Sequence, residues 1–134
     1  MRRALRTIAV VLVLAGCGTE RDPVDAAGSS AGSHLEITVD PGDGTGPDTY
    51  NLECEGPEGT HPDPEAACAH LETLEDPFAP LADDAVCTQQ YGGPETASIV
   101  GRWDGEPVDL ELSRSNGCLI AQWDSLGPVL PAAS

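Results

Sequence analysis

Four cysteines, Cys54, Cys68, Cys87 and Cys118, constrain this chain more than any other feature, and a fifth, Cys17, stands apart near the N-terminus. An even set of four in an exported chain with a modest core implies two disulfides. Such a chain folds as a small, loop-rich domain whose stability does not rest on its apolar core alone. Sequence leaves three pairings open. A bridge from Cys54 to Cys68 would close a loop of about 15 residues and stabilise by about 3 kcal/mol in the chain-entropy model; Cys87 would then tie an irregular segment to Cys118. The competing use of these thiols is a metal site with His61 or His70. No Cys-x-x-Cys pair exists and an oxidising compartment favours disulfides, so no metal is expected.

Export is read from the N-terminus. Arg2, Arg3 and Arg6 precede an apolar run from Ile8 to Leu14, far short of the roughly 20 residues a membrane-spanning helix needs. Leu14-Ala15-Gly16-Cys17 resembles the lipobox of bacterial lipoproteins. Residues 1–16 are therefore expected to be a lipoprotein signal peptide and Cys17 to be lipidated. Residues 17–33, rich in Gly, Ser, Ala, Asp and Pro, are expected to form a flexible tether, and residues 34–134 one domain. This places the domain on the outer face of the bacterial cell membrane, or in the medium if the anchor is clipped, with membrane contact only through the lipid on Cys17.

Composition excludes whole classes of function. The 134 residues hold six Arg and no Lys against 23 acids, for a formal charge of −17. Nucleic-acid binding needs clustered cations and is excluded. There is no His-Glu-x-x-His and no Walker-type loop, and Asp40, Asp43 and Asp48 do not match a calcium-binding loop and read as turn chemistry. Neither an enzyme nor a cofactor is expected.

Hydrophobic periodicity gives an α+β domain with an antiparallel sheet of about five strands. Leu35, Ile37 and Val39 alternate with polar residues; Thr49 to Cys54, Thr96 to Trp103 and Pro107 to Leu112 read as further strands, and Cys118 to Trp123 as the last. Asp104-Gly105 is a two-residue hairpin turn. Asp63-Pro64 opens the main helix, predicted to run to Glu75 with Ala67, Leu71 and Leu74 facing the sheet and Cys68 beside them. Pro77 ends it, and Pro80 to Asp83 is expected to add one short helical turn. Trp103 and Trp123 are expected to anchor the core.

Cys54-Glu55-Gly56-Pro57-Glu58-Gly59-Thr60-His61-Pro62, followed by Cys68-Ala69-His70-Leu71, then Val86-Cys87-Thr88-Gln89-Gln90-Tyr91, then Ser115-Asn116-Gly117-Cys118, resembles the Streptomyces subtilisin inhibitor-like family. The likeness runs from about Leu35 to Trp123. It implies a five-stranded antiparallel sheet with two helices, disulfides Cys54 with Cys68 and Cys87 with Cys118, and often a homodimer through the sheet. It implies a proteinaceous inhibitor of subtilisin-like serine proteases, bound like a substrate through an exposed loop whose reactive bond joins Gln89 to Gln90. Val86, Cys87, Thr88 and Tyr91 would contact the protease, and Asn116 with Cys118 would support the loop.

Gln89 is long, polar and neutral, so the acid of a trypsin-like pocket has nothing to pair with, and a broad subtilisin-type pocket is the better match. Thr88 stands where the family often has proline, and Gly92-Gly93 lengthens the segment before Pro94 by one residue, which predicts a looser loop. A second reading keeps the scaffold without inhibition, as a lipid-anchored module binding a surface partner.

Overall fold

A computed structural model describes residues 32–132. The signal peptide, Cys17 and most of the expected tether lie outside the described residues. Strands β1 (His34–Asp40), β2 (Asp48–Glu53) and β3 (Glu58–Gly59) are followed by helix α1 (Pro64–Glu72), then strands β4 (Thr96–Trp103) and β5 (Glu106–Ser113) and helix α2 (Gly117–Ser125). A single 3-10 turn at Gly127–Val129 closes the described chain. The sheet runs β3-β2-β1-β4-β5, antiparallel throughout.

Alternation in the sequence becomes burial on one face. Leu35, Ile37 and Val39 of β1, Ile99 of β4 and Leu110 of β5 point to the core, while Glu36, Asp109 and Glu111 point away. Ala67, Cys68 and Leu71 of α1 cover that face together with Leu126, Val129 and Leu130 from the chain's end. The Asp104-Gly105 turn forms as expected, with both residues at positive φ, 48° and 80°, between paired Trp103 and Glu106. In the β1–β2 turn, Asp43 accepts from the Thr45 backbone N–H and hydroxyl at 2.9 and 2.6 Å. Those bonds hold its carboxyl below the usual carboxylate range. The carboxylates here cap a turn.

Three expectations about elements are corrected. Cys118 to Trp123 is helix, not strand. Asn116 sits in extended conformation and its Oδ1 accepts from the Leu119 N–H at 2.9 Å, an N-cap that starts α2. A short apolar run fits a buried strand and a buried helix equally, and the cap decides. The fifth strand is instead the two-residue β3, which no periodicity marks. There Gly59, at φ 115°, lets the backbone close on Asn51 without a Cβ in the way. Pro80 to Asp83 forms no helix; the chain makes one turn, with the Ala85 N–H on the Ala82 carbonyl at 3.0 Å.

Helix α1 stops at Glu72, three residues earlier than expected, because the Thr73 hydroxyl donates to the His70 carbonyl at 2.6 Å and closes the last turn. Both tryptophans are half-buried at the margin of the core, with Trp103 edge-on to Phe78 at 6.1 Å. The disulfides are Cys54–Cys68, which fastens α1 beside the end of β2, and Cys87–Cys118, with Cα atoms 5.5 and 5.2 Å apart.

His61 joins the two ends of the fold. It is 4 % exposed; its Nδ1 accepts from the Asp63 N–H at 3.1 Å, so Nε2 carries the proton and donates to the Val129 carbonyl at 3.1 Å. His61→Ala leaves both partners without a bond and opens a cavity. It is expected to lower unfolding stability by about 2 to 4 kcal/mol, read as a shifted urea midpoint with an unchanged m-value. A shift below about 0.5 kcal/mol would show that the tail packs independently of this ring.

Candidate functional site

The long connection between α1 and β4 carries every residue that the sequence assigns to the reactive loop. Val86 is 98 % exposed and Tyr91 68 %, the two most exposed large apolar side chains among the described residues. Thr88, Gln89 and Gln90 between them are exposed, and Cys87 is half-buried at its disulfide. Large side chains are held in water here by a loop with no regular secondary structure.

What makes the loop a site is how it is tied down. On one side of the Gln89–Gln90 bond, Cys87 is bonded to Cys118 and the Thr88 carbonyl accepts from the Gly117 N–H at 3.0 Å. On the other side, the Gly92 N–H donates to the Arg114 carbonyl at 2.7 Å, and the Gly92 carbonyl accepts from Arg114 Nε at 3.3 Å. Both flanks therefore land on one short stretch, Arg114 to Cys118, between β5 and the first turn of α2. Three exposed residues, Gln89, Gln90 and Tyr91, bridge the gap.

Asn116 belongs to this stretch, but its side chain caps α2 rather than reaching the loop. The contact to the loop runs through the neighbouring Gly117 backbone. Two glycines make the close approach possible. A Cβ at Gly117 would collide with the Thr88 hydroxyl, and one at Gly92 would come within 2.9 Å of Ile120 and 3.2 Å of Arg114 Nε. The expected looseness of Gly92-Gly93 is thus overturned at Gly92, which is pinned by two hydrogen bonds and packed on α2. Gly93, at φ 138°, takes a conformation that a side chain would oppose. Beyond it, Pro94 rests on Gly42 of the β1–β2 turn, where a Cβ would lie 2.7 Å from the Pro94 carbonyl oxygen.

Arg114 went unmarked in the sequence, where Gly92 stood only as a source of slack and Gly117 only as part of the Ser-Asn-Gly-Cys motif. The signal for Arg114 was present: in a chain with six cations and 23 acids, an arginine placed just before Ser-Asn-Gly-Cys is unlike the solvated majority. Among the described residues, no group of three or more His, Cys, Asp or Glu side chains is placed to hold a metal ion. The geometry presents a peptide bond with both flanks fixed.

A family model described as "Subtilisin inhibitor-like" matches residues 31–116. The chain is 34 % identical over 135 residues to "Subtilisin inhibitor" of Streptomyces violaceus, spanning 88 % of this chain and 90 % of that one. It is 43 % identical over 63 residues to "Subtilisin inhibitor-like protein 3" of Streptomyces coelicolor, spanning 46 % and 58 %. Among solved structures, sermetstatin of Streptomyces caespitosus, crystallised in complex with Bacillus licheniformis subtilisin, is similar at 29 % identity with a TM-score of 0.48, over 73 % of this chain and 96 % of that one.

Proposed function

The chain belongs to the subtilisin inhibitor-like family, and from that premise we propose that it is a protein inhibitor of subtilisin-type serine endopeptidases whose reactive bond is Gln89–Gln90. One observation carries the assignment of the bond: exposed Gln89, Gln90 and Tyr91 span between two flanks that are both anchored on Arg114 to Cys118.

In this reading the loop enters the protease cleft as a substrate would, its main chain pairing with the cleft and the Gln89 carbonyl in the oxyanion hole. The protease serine attacks that carbonyl, the Gln89–Gln90 bond breaks, and the Gln90 nitrogen leaves as an amine after taking a proton. An ordinary substrate loses this amine to water. Here both new ends stay tethered, so the amine attacks the acyl ester, the peptide bond re-forms and the serine oxygen is expelled with its proton restored. Tethering also lowers the ordering cost of binding, which otherwise takes roughly 0.5 to 1.5 kcal/mol per immobilised side chain.

Gln89 fills the primary pocket, and exposed Val86 the apolar pocket three residues upstream. Thr88 and Tyr91 flank the bond. The lipoprotein signal and the lipid on Cys17 place this activity at the outer face of the cell membrane, or in the medium after clipping. The family's homodimer through the sheet would use the open face, where Val100 stands in register between Glu36 and Asp109.

Gln89→Pro tests the reading. Proline fixes φ and blocks the substrate-like main-chain pairing, so this variant is expected to lose subtilisin inhibition by at least about 1,000-fold, or roughly 4 kcal/mol, with an unchanged circular dichroism spectrum. Inhibition equal to that of the parent domain would remove Gln89 from the contact.

A further inference from the structure

We propose that Arg114 is the positioning residue that makes re-formation of the reactive bond outrun hydrolysis, by holding the Gln90 side of the loop through Gly92. The inference rests on the inhibitor reading above and goes beyond it, since nothing in that reading needs this side chain.

The two sides of the bond are held by different means. Gln89 lies two residues from a covalent anchor, the Cys87–Cys118 disulfide. Gln90 has no such anchor. Cleavage makes it a new chain end, connected to the sheet only through Tyr91 to Glu95 until β4 begins at Thr96. Along that stretch Gly92 is grasped twice by Arg114, through its N–H by the Arg114 carbonyl and through its carbonyl by Arg114 Nε. Pro94 adds packing against Gly42, two residues further from the cut.

The guanidinium is itself held. Nη1 donates to Asp124 Oδ1 of α2 at 3.2 Å, and the group lies over the Trp123 ring at 5.7 Å. The Glu95 carboxylate stands 3.9 Å from Nε, and its Oε2 is buried without a hydrogen-bond partner among the described residues. At that distance it makes no hydrogen bond, yet its charge opposes withdrawal of the cation. Arg114 is 24 % exposed in a chain where most charges face water. It joins α2, the loop and Glu95, the residue just before β4, at one point. Its main chain belongs to the same stretch as Gly117, whose N–H holds Thr88, so the Gln89 and Gln90 ends are referred to one rigid base.

After cleavage the Gln90 amine must stay beside the acyl ester, since diffusion of even a few ångströms removes most of the advantage of an intramolecular attack. If water reacts instead, it adds its hydroxyl to the Gln89 acyl carbon and returns its proton to the serine oxygen, leaving cleaved inhibitor and free protease. Arg114 therefore acts on the partition of the acyl-enzyme, while the first encounter with the protease depends on Val86, Gln89 and Tyr91.

The test compares the oxidised domain (residues 18–134) with its Arg114→Ala, Arg114→Met and Asp124→Ala variants against a subtilisin, measuring association rate and, by mass spectrometry, the ratio of intact to cleaved chain after a fixed time well before equilibrium, when cleaved chain accumulates only through hydrolysis of the acyl-enzyme. Association is expected to stay within about threefold of the parent. The ratio of intact to cleaved chain is expected to fall at least about 10-fold in both Arg114 variants, and less in Asp124→Ala, which keeps Nε but frees the fork. Arg114→Met keeps an apolar stem on Trp123 and carries the test if the alanine variant fails to fold. Without protease, amide exchange at Gln90 to Gly92 is expected to quicken while β4 and β5 stay protected. Parent-like ratios and exchange in both Arg114 variants would overturn this inference and leave the inhibitor reading standing. A parent domain that inhibits no subtilisin would overturn that reading itself, and with it this one.

Discussion

Replacing Cys87 and Cys118 together by serine is expected to turn the domain from a lasting inhibitor into a substrate, cut at Gln89–Gln90 at least about 100-fold faster than the parent. The disulfide is the covalent anchor of the Gln89 side, and without it the hydrogen bond from the Gly117 N–H to the Thr88 carbonyl is the nearest hold left on that end among the described residues. A cross-link closing a loop of this length restricts the open chain by between about 3 and 4 kcal/mol, equivalent to a few hundred-fold in the chance of finding the cut ends together. The sheet and the Cys54–Cys68 bridge remain, so the variant should still unfold cooperatively. Following the two chain fragments over hours with trace subtilisin reads the result. A double variant that stays intact as long as the parent would show that hydrogen bonds alone keep the loop closed, and would move the source of durability away from the disulfide.

Gln89→Lys is expected to create a trypsin inhibitor, with affinity for trypsin rising by about 1,000-fold. The parent side chain offers a trypsin-like pocket no charge. A lysine there pairs with the buried acid, and close, desolvated charge pairs at interfaces are worth several kcal/mol by double-mutant cycles. The same variant should lose less than about 10-fold against a subtilisin, whose pocket is broad and whose other contacts, through Val86, Thr88 and Tyr91, are unchanged. Gln89 is exposed and outside the core, so folding is not in question. Inhibition constants against both proteases check it. No gain against trypsin would mean that Gln89 does not occupy the primary pocket and that the reactive bond lies elsewhere in the loop.

Much of this molecule is legible before folding because it depends on neighbours in the chain. Alternation at Leu35, Ile37 and Val39 marks a strand with one buried face, Asp104-Gly105 marks a hairpin, and Asp63-Pro64 marks a helix start; each is a local preference that tertiary packing had no reason to override. The irregular, exposed segment around Cys87 was legible too; Gln89–Gln90 as its reactive bond is what the family likeness implies and what the Gln89 variants test. Sequence misassigned Cys118 to Trp123, where an apolar run carries no period and the Asn116 cap had to be weighed against it. It passed over β3, a strand of two residues created by the Gly59 backbone meeting β2.

The sequence by itself determined the strands of the sheet's centre, the main helix, the number of disulfides and the exposed loop around Cys87 that is proposed to meet a protease. Only the tertiary structure decided that both flanks of Gln89–Gln90 are fastened to Arg114 through Cys118, that Gly92 is a point of contact rather than of slack, and that Asn116 serves α2. The physical reason is separation along the chain. Thr88 and Gly117, or Gly92 and Arg114, meet because β5 and α2 bring the second of each pair back to the loop, and a hydrogen bond between residues so far apart leaves no pattern in the residues beside it.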